Sequence, residues 1–325
     1  MTRLAYKLMP TNTRRRVRSL MRSPTVVHLP DEPGEGEPRL FFVRGHPRSG
    51  TNWVGQLLNL HPAIRCVGEF HLEVFADAYV RFKDGEHLMG AEASVQLAVE
   101  ANLRRLVRSA VLTAASGGMT DESWARVRWV GDRTPREIGR FHRGAPWIRI
   151  VRDGRDVVVS LTFHEMNIDG PELAKHRDGM SQDVEAYRSD ETYFDEHPER
   201  LLSHEGWVRH AAWLWANHQR RDQKLLDGMD EPSLLDLRYE RMHADVEGER
   251  NRMYEFLGVD SSEADPIGTE SRTSAGLARQ DPRGQNRKGV VGDWRHYFTD
   301  QAKAWFKEEA GEELVRAGYE TGSDW

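Results

Sequence analysis

The segment that most constrains this chain is Leu40-Phe41-Phe42-Val43, followed by Gly45-His46-Pro47-Arg48-Ser49-Gly50 and then by Thr51 to Leu60. Four consecutive apolar residues read as a short buried strand. Trp53, Val54, Leu57 and Leu58 recur at helical spacing, and His61-Pro62 ends the helix. A glycine-containing turn between strand and helix gathers backbone N–H groups and the positive end of the helix dipole. Such a turn either binds an anion or is an ordinary strand-to-helix connection. Gly45-x4-Gly50 has the spacing of a nucleotide P-loop, in which Lys and then Ser or Thr would follow. Here Thr51 and Asn52 follow, and the cation comes earlier, at Arg48. The P-loop Lys and hydroxyl serve the β- and γ-phosphates and Mg²⁺ of a nucleoside triphosphate. A loop with Arg48 ahead of Ser49-Gly50 can still hold one phosphate, and it can put a cation on the atom leaving that phosphate.

The rest of the chain alternates in the same manner. Val127 to Val130, Trp147 to Val151 and Leu234 to Arg238 are further strand candidates. Helical patterns run over Glu92 to Ala115, through Trp207, Trp213, Leu214 and Trp215 up to Gly228-Met229-Asp230, over Tyr239 to Leu257, and over Asp300 to Ala317. Gly258 is the expected stop of the third. The alternation predicts an α/β fold, a P-loop-like parallel β-sheet flanked by helices on both faces. Residues 166 to 200 are polar with few anchors and read as a long excursion or lid. Residues 261 to 292 read as irregular.

PDEPGEGEP at 30–38 reads as a linker. The expected division is therefore a basic leader and linker over 1–38 and a single domain over 39–325. The leader carries Arg3, Lys7, Arg14, Arg15, Arg16, Arg18 and Arg22 without an acid up to Ser23, and it lacks the apolar middle of a signal peptide. It is either a solvated, disordered stretch or a weak membrane-surface contact through residues 1–23. No run of 18 apolar residues occurs. The single cysteine, Cys66, excludes an internal disulfide and a Cys-based zinc cluster, and it suits a cytoplasmic location. A net charge of −6 over 325 residues argues against bulk nucleic-acid binding.

Two further segments carry anion-binding residue types. Ile150-Val151-Arg152 ends a strand, and Ser160 follows on the next helix, so both side chains could reach one phosphate. The alternative is a solvated turn in which Asp153 and Asp156 pair with Arg152 and Arg155. Near the end, Arg287-Lys288-Gly289 is a basic loop whose glycine permits a positive φ.

Pro47-Arg48-Ser49-Gly50-Thr51-Asn52-Trp53 resembles the 5′-phosphosulfate loop of the sulfotransferase family, whose cytosolic members usually carry Lys at the position of Arg48. Arg152 and Ser160 resemble the family's 3′-phosphate motif. Asn286-Arg287-Lys288-Gly289, continuing through Gly292-Asp293-Trp294 to Phe298-Thr299, resembles the cytosolic members' C-terminal loop, which closes over that phosphate. Leu237-Arg238-Tyr239-Glu240 resembles the strand whose Tyr approaches adenine, although a strand-end Tyr is also an ordinary packing residue. The three main matches occur in the family's order. The resemblance implies 3′-phosphoadenosine-5′-phosphosulfate (PAPS) as sulfuryl donor, adenosine-3′,5′-bisphosphate (PAP) as product, and no required metal. The donor contacts it implies are Arg48, Ser49, Gly50, Thr51, Asn52, Trp53, Arg152, Ser160, Tyr239, Arg287, Lys288 and Gly289.

The proton acceptor follows a different branch of the family. Cytosolic members use a His in a Lys-Thr-His context, but Gly131-Asp132-Arg133-Thr134-Pro135-Arg136 has Pro135 at that place. His61 to Glu69 instead resembles the tyrosylprotein sulfotransferases, in which a Glu at this distance beyond the phosphate loop is the base. Glu69 is expected at the C-terminal edge of the sheet, partly desolvated. The alternative is an acid at the start of the next helix, and His71 is the nearest competitor as base. Arg133 either assists the sulfuryl oxygens or pairs with Asp132. His164 and the three tryptophans are expected to be packing residues. Two other functions compete. A P-loop kinase requires Lys after Gly50 and a strand ending in Asp for Mg²⁺, whereas the strand 147–151 runs into Arg152. A non-catalytic nucleotide-binding protein would dispense with Glu69. The acceptor class spans small molecules, carbohydrates, lipids and peptidyl tyrosine.

Overall fold

The computed structural model describes residues 36–71, 74, 78, 81, 93–134, 145–227, 233–268, 289–322 and 324–325. The basic stretch 1–23 and most of the linker, together with Pro135, Arg287 and Lys288, lie outside them.

Strands β1 (Arg39–Arg44), β2 (Ile64–Val67), β3 (Trp129–Asp132), β4 (Trp147–Val151) and β5 (Leu234–Arg238) pair in parallel in the order β2-β3-β1-β4-β5. The central strand β1 shows why helices must lie on both sides. Leu40 and Phe42 pack in one core with Val107, Val111 and Ala115 of α2 (Ala93–Ser116). Phe41 and Val43 point the other way. They join Val54, Leu57 and Leu58 of α1 (Thr51–Leu58) and Met253 and Tyr254 of a later helix. Phe41 and Phe42 are both buried, and each contributes roughly 1.5–3 kcal/mol of transfer free energy. The α/β fold expected from the sequence is the one observed.

The remaining helices, in chain order, are α3 (Asp121–Ala125), α4 (Gly154–Ile168), α5 (Pro171–Ala174), α6 (Arg177–Ser189), α7 (Tyr193–Glu196), α8 (Glu205–Asp227), α9 (Tyr239–Ala244), α10 (Val246–Phe256), α11 (Trp294–Tyr297) and α12 (Asp300–Arg316). A third core joins α4, α6, α8, α11 and α12 around the buried Trp207 and Trp215.

Three local expectations are corrected. Residues 166 to 200 are not a lid: α5, α6 and α7 sit in the third core through Leu173, Met180, Val184, Tyr187 and Phe194. Their polar composition reflects exposed faces, and the sparse apolar residues fall on the buried ones. Tyr239 to Leu257 is two helices, because Asp245 leaves helical geometry and its carboxylate accepts from Gly248 N–H. Trp213 is exposed while its neighbours Trp207 and Trp215 are buried, since it lies on the opposite side of α8.

Candidate functional site

Each strand hands over a candidate residue at its C-terminal end. The candidate phosphate loop follows β1, Glu69 and His71 follow β2, Arg133 follows β3, Arg152 follows β4 and Tyr239 follows β5. The chain moves from β1 to one side of the sheet and later returns to the other, so β1 and β4 flank the switch point where open α/β sheets hold ligands.

The loop is sterically constrained. Ser49 N–H closes a turn onto the His46 carbonyl at 3.0 Å. Arg48 has φ +74° and Gly50 φ +102°. A Cβ on Gly50 would come within 2.9 Å of the Tyr239 ring, and one on Gly45 within 2.6 Å of the Ile150 carbonyl. No side chain caps α1, and its first turn holds no acid. The positive helix end therefore faces the loop without a competing carboxylate.

The anion-binding candidates converge on Arg48. Its Nε donates to Ser160 Oγ at 3.2 Å, and Arg152 donates to the Arg48 carbonyl at 3.2 Å. The other arm of Arg152 donates to the Val290 carbonyl at 3.1 Å, and its guanidinium lies 4.2 Å from the centre of the Tyr239 ring. Tyr239 Oη donates to the Gly289 carbonyl at 3.2 Å. Burial, partly offset by Arg152, raises the Tyr239 phenol above its ordinary value, so it stays a donor at neutral pH. Thus Arg48, Ser160, Arg152, Tyr239 and Gly289 meet in one place. Ser160 bonds to Arg48, whereas the sequence had paired it with Arg152.

Among the described residues, two buried donors here have no hydrogen-bond partner, Ser49 Oγ and Arg152 Nε. Unmatched buried donors cost free energy, and an anion with several acceptor oxygens would satisfy both. The residues present therefore fit a phosphate-bearing co-substrate.

The turn after β4 is not solvated. Arg152, Asp153, Arg155 and Asp156 are all buried. Arg155 pairs with Asp153 at 2.7 Å and Glu320 at 2.5 Å, between the rings of Trp294 and Trp325. Asp156 accepts from Gly292 N–H at 2.7 Å and Trp294 N–H at 2.9 Å, which ties the C-terminal loop to α4. Nothing in the sequence marks Asp156 for this role except its position one turn before Ser160.

Beyond β2, Phe70 N–H donates to Asp132 Oδ1 and His71 N–H to Thr134 Oγ1, each at 3.2 Å, and Thr134 donates to Asp132 Oδ2 at 2.6 Å. Asp132 ends a strand, as a kinase Mg²⁺ ligand would, but both its oxygens are engaged in anchoring this segment. Arg133 pairs with Glu69 at 3.9 Å and not with Asp132. Its side chain crosses α1 at Gly55, where a Cβ would meet Arg133 Cδ at 2.7 Å. The Glu69 side chain is 35% accessible, just past the end of the edge strand β2. Behind the loop lies a buried cluster that the sequence did not reveal. Arg44 is paired with Asp222, and the His46 ring sits 5.4 Å from that of His218. Burial and His218 push His46 down to about 3. Burial alone would raise Asp222, but His218 and Arg44 hold it well below the usual carboxylate range. Burial also pushes the Cys66 thiol up to about 12, leaving it inert.

A family model described as the sulfotransferase family matches residues 38–263. The chain belongs to the sulfotransferase family.

Among curated relatives, this family member is 26% identical over 154 residues to protein-tyrosine sulfotransferase 2 of Gallus gallus, a match covering 45% of the present chain and 40% of that protein. The match thus spans less than half of that relative's length. A sulfotransferase from Alicyclobacillus acidocaldarius superposes with a TM-score of 0.45 at 15% identity, covering 89% of this chain and 98% of that one. A mouse sulfotransferase complexed with PAP gives 0.39 at 17% identity, covering 85% and 84%. Among the described residues, no helix is long and apolar enough to cross a membrane, and no group of three or more His, Cys, Asp and Glu is placed to hold a metal ion.

Proposed function

We propose that this protein transfers a sulfuryl group from PAPS to a hydroxyl or amine acceptor by in-line displacement. The bond from sulfur to the acceptor oxygen or nitrogen forms as the S–O bond to the 5′-phosphate breaks. The electron pair leaves with PAP, and the acceptor's proton passes to a base. The observation that carries this reading is the convergence of Arg48, Ser160, Arg152, Tyr239 and Gly289 around two unmatched buried donors. The loop from Ser49 to Trp53 would hold the 5′-phosphate, with Arg48 on the oxygen that gathers charge as sulfur departs. Arg152 and Ser160 would hold the 3′-phosphate with the Arg287-Lys288-Gly289 loop, and Tyr239 would lie near the adenine. Glu69 would take the proton, with His71 the rival.

The acceptor is a hydroxyl or amine on a small molecule, carbohydrate, lipid or peptide. The partial match to a protein-tyrosine sulfotransferase and the Glu69 position favour a tyrosine peptide as the first acceptor to assay. The decisive experiment is calorimetry with PAP and with ATP, each with and without Mg²⁺. Binding of PAP without metal, far tighter than ATP, is expected. ATP binding as tight as PAP and dependent on Mg²⁺ would overturn the reading.

A further inference from the structure

We propose that His164 is a further contact of the transferring group, its imidazole N–H donating to a sulfuryl oxygen beside Arg48. This rests on the donor reading above and adds a residue which that reading does not use.

Helix α4 is buried along nearly its whole length. Between Arg152 and Met166, only Ser160 and His164 are not buried. They are four residues apart and so share one face of the helix, one turn from each other. Ser160 fixes where that face looks, because its Oγ accepts from Arg48 Nε at 3.2 Å. The opening in α4 therefore faces the phosphate loop. The His164 ring lies close enough to Arg48 for the guanidinium to oppose its protonation.

A half-buried histidine that serves only packing ordinarily binds a neighbouring carbonyl or carboxylate. Among the described residues, no hydrogen bond, ion pair or ring contact engages His164. The adjacent Glu165 points elsewhere, accepting from Glu172 N–H at 3.0 Å and Leu173 N–H at 3.1 Å. Both ring nitrogens of His164 are thus left for a ligand. Burial first and Arg48 second hold its pKa below the ordinary histidine value, so the ring is neutral near pH 7, with one N–H and one lone pair. A neutral donor can stabilise sulfuryl oxygens without adding a second cation beside Arg48. The proton balance is unchanged, since the acceptor's proton still goes to the base. One turn further along α4, Ile168 is 54% accessible, and it offers apolar surface to an acceptor approaching along this face.

The test uses the full chain and two readouts. In the first, the imidazole resonance of His164, assigned by its loss in H164N, is titrated with and without PAP. A phosphate on Arg48 offsets the charge that opposes protonation, so PAP should raise the His164 midpoint by about one pH unit. In the second, H164A and H164N are assayed at saturating PAPS with p-nitrophenol, a tyrosine peptide and N-acetylglucosamine. H164A should lose about 10²-fold in turnover, the scale of removing one donor from such a site, while its PAP affinity stays within about threefold of wild type. H164N, which keeps an N–H donor, should recover part of the loss. Bound PAP with an unmoved midpoint, or H164A turning over like wild type, overturns the inference and leaves the donor reading standing. Absence of PAP binding by the wild-type chain overturns both. If wild type accepts none of the three acceptors, the titration decides alone.

Discussion

Arg48 has an uncommon backbone conformation for a side chain that must also be aimed. With φ at +74° it lies in the left-handed region, where residues other than glycine are held only by their surroundings. Here Arg152 holds its carbonyl and Ser160 meets its guanidinium. Two residue-scale outcomes follow from the proposed roles. Arg152→Ala should weaken PAP binding by about 1.5–3 kcal/mol, the range for hydrogen bonds to charged groups. The loss should shrink markedly for an analogue without the 3′-phosphate, and calorimetry with both ligands checks this. An equal loss for both ligands would show that Arg152 does not read that phosphate. Glu69→Gln should keep PAP binding and lose roughly 10²–10⁴ in turnover at saturating donor. If His71 is the base, His71→Asn shows that loss instead. Glu69 and His71 are both exposed, so the paired assay distinguishes position from intrinsic basicity.

At the scale of elements, the C-terminal loop and α4 act as one unit. Asp156 receives two loop amides, Arg152 reaches the Val290 carbonyl, and Arg155 is held between Trp294 of α11 and Trp325. Burial raises the Asp156 carboxyl, and Arg152 with the two amides opposes that rise. Asp156→Ala leaves the buried Trp294 N–H unmatched, costing about 1–3 kcal/mol, and frees the part-buried Gly292 N–H. The expected outcome is a lower melting temperature and weaker PAP binding, because the loop carrying Arg287 and Lys288 is no longer fastened. Asp156→Asn, which keeps one acceptor oxygen, should fall between Ala and wild type. A variant that loses stability yet binds PAP as wild type does would remove the fastening role. The same element contains Gly154, whose Cβ would strike the Trp215 ring at 2.6 Å, so α4 and α8 can approach this closely only with glycine there.

For the whole molecule, the cluster behind the phosphate loop sets an acid limit on stability. His46 titrates near 6.5 when unfolded and is held to about 3 when folded. Its folded form stays neutral, so between those values the unfolded chain binds the extra proton. Stability is therefore fully present above about pH 6.5 and declines as pH falls toward 3, by roughly 4–5 kcal/mol from this group at the acid end. Asp222 adds to the loss as pH falls below its unfolded value of 3.8, since its folded pKa is depressed below the carboxylate range. Melting curves from pH 7.5 to pH 4.5 should show this decline, and His46→Gln should flatten it. Parallel curves for the two proteins would show that His46 does not contribute.

The strand-turn-helix at 39–58, the parallel sheet and family membership were legible in the sequence because they depend on short-range pattern. Apolar strand, glycine turn and amphipathic helix are each encoded within about ten residues. The helices between 166 and 200 were harder to see, because their few core residues are outnumbered by solvent-facing ones. Of the charge partners, the local Arg155–Asp153 pair was legible and the distant ones were not. Arg133 meets Glu69 and not its neighbour Asp132, Arg44 meets Asp222 from 178 residues away, and the solvated ion pairs expected around Arg152 are buried. Which charge faces which depends on how strands β1 to β4 and helix α8 stack. That stacking is a long-range outcome of burying both faces of the sheet, and no local spacing records it.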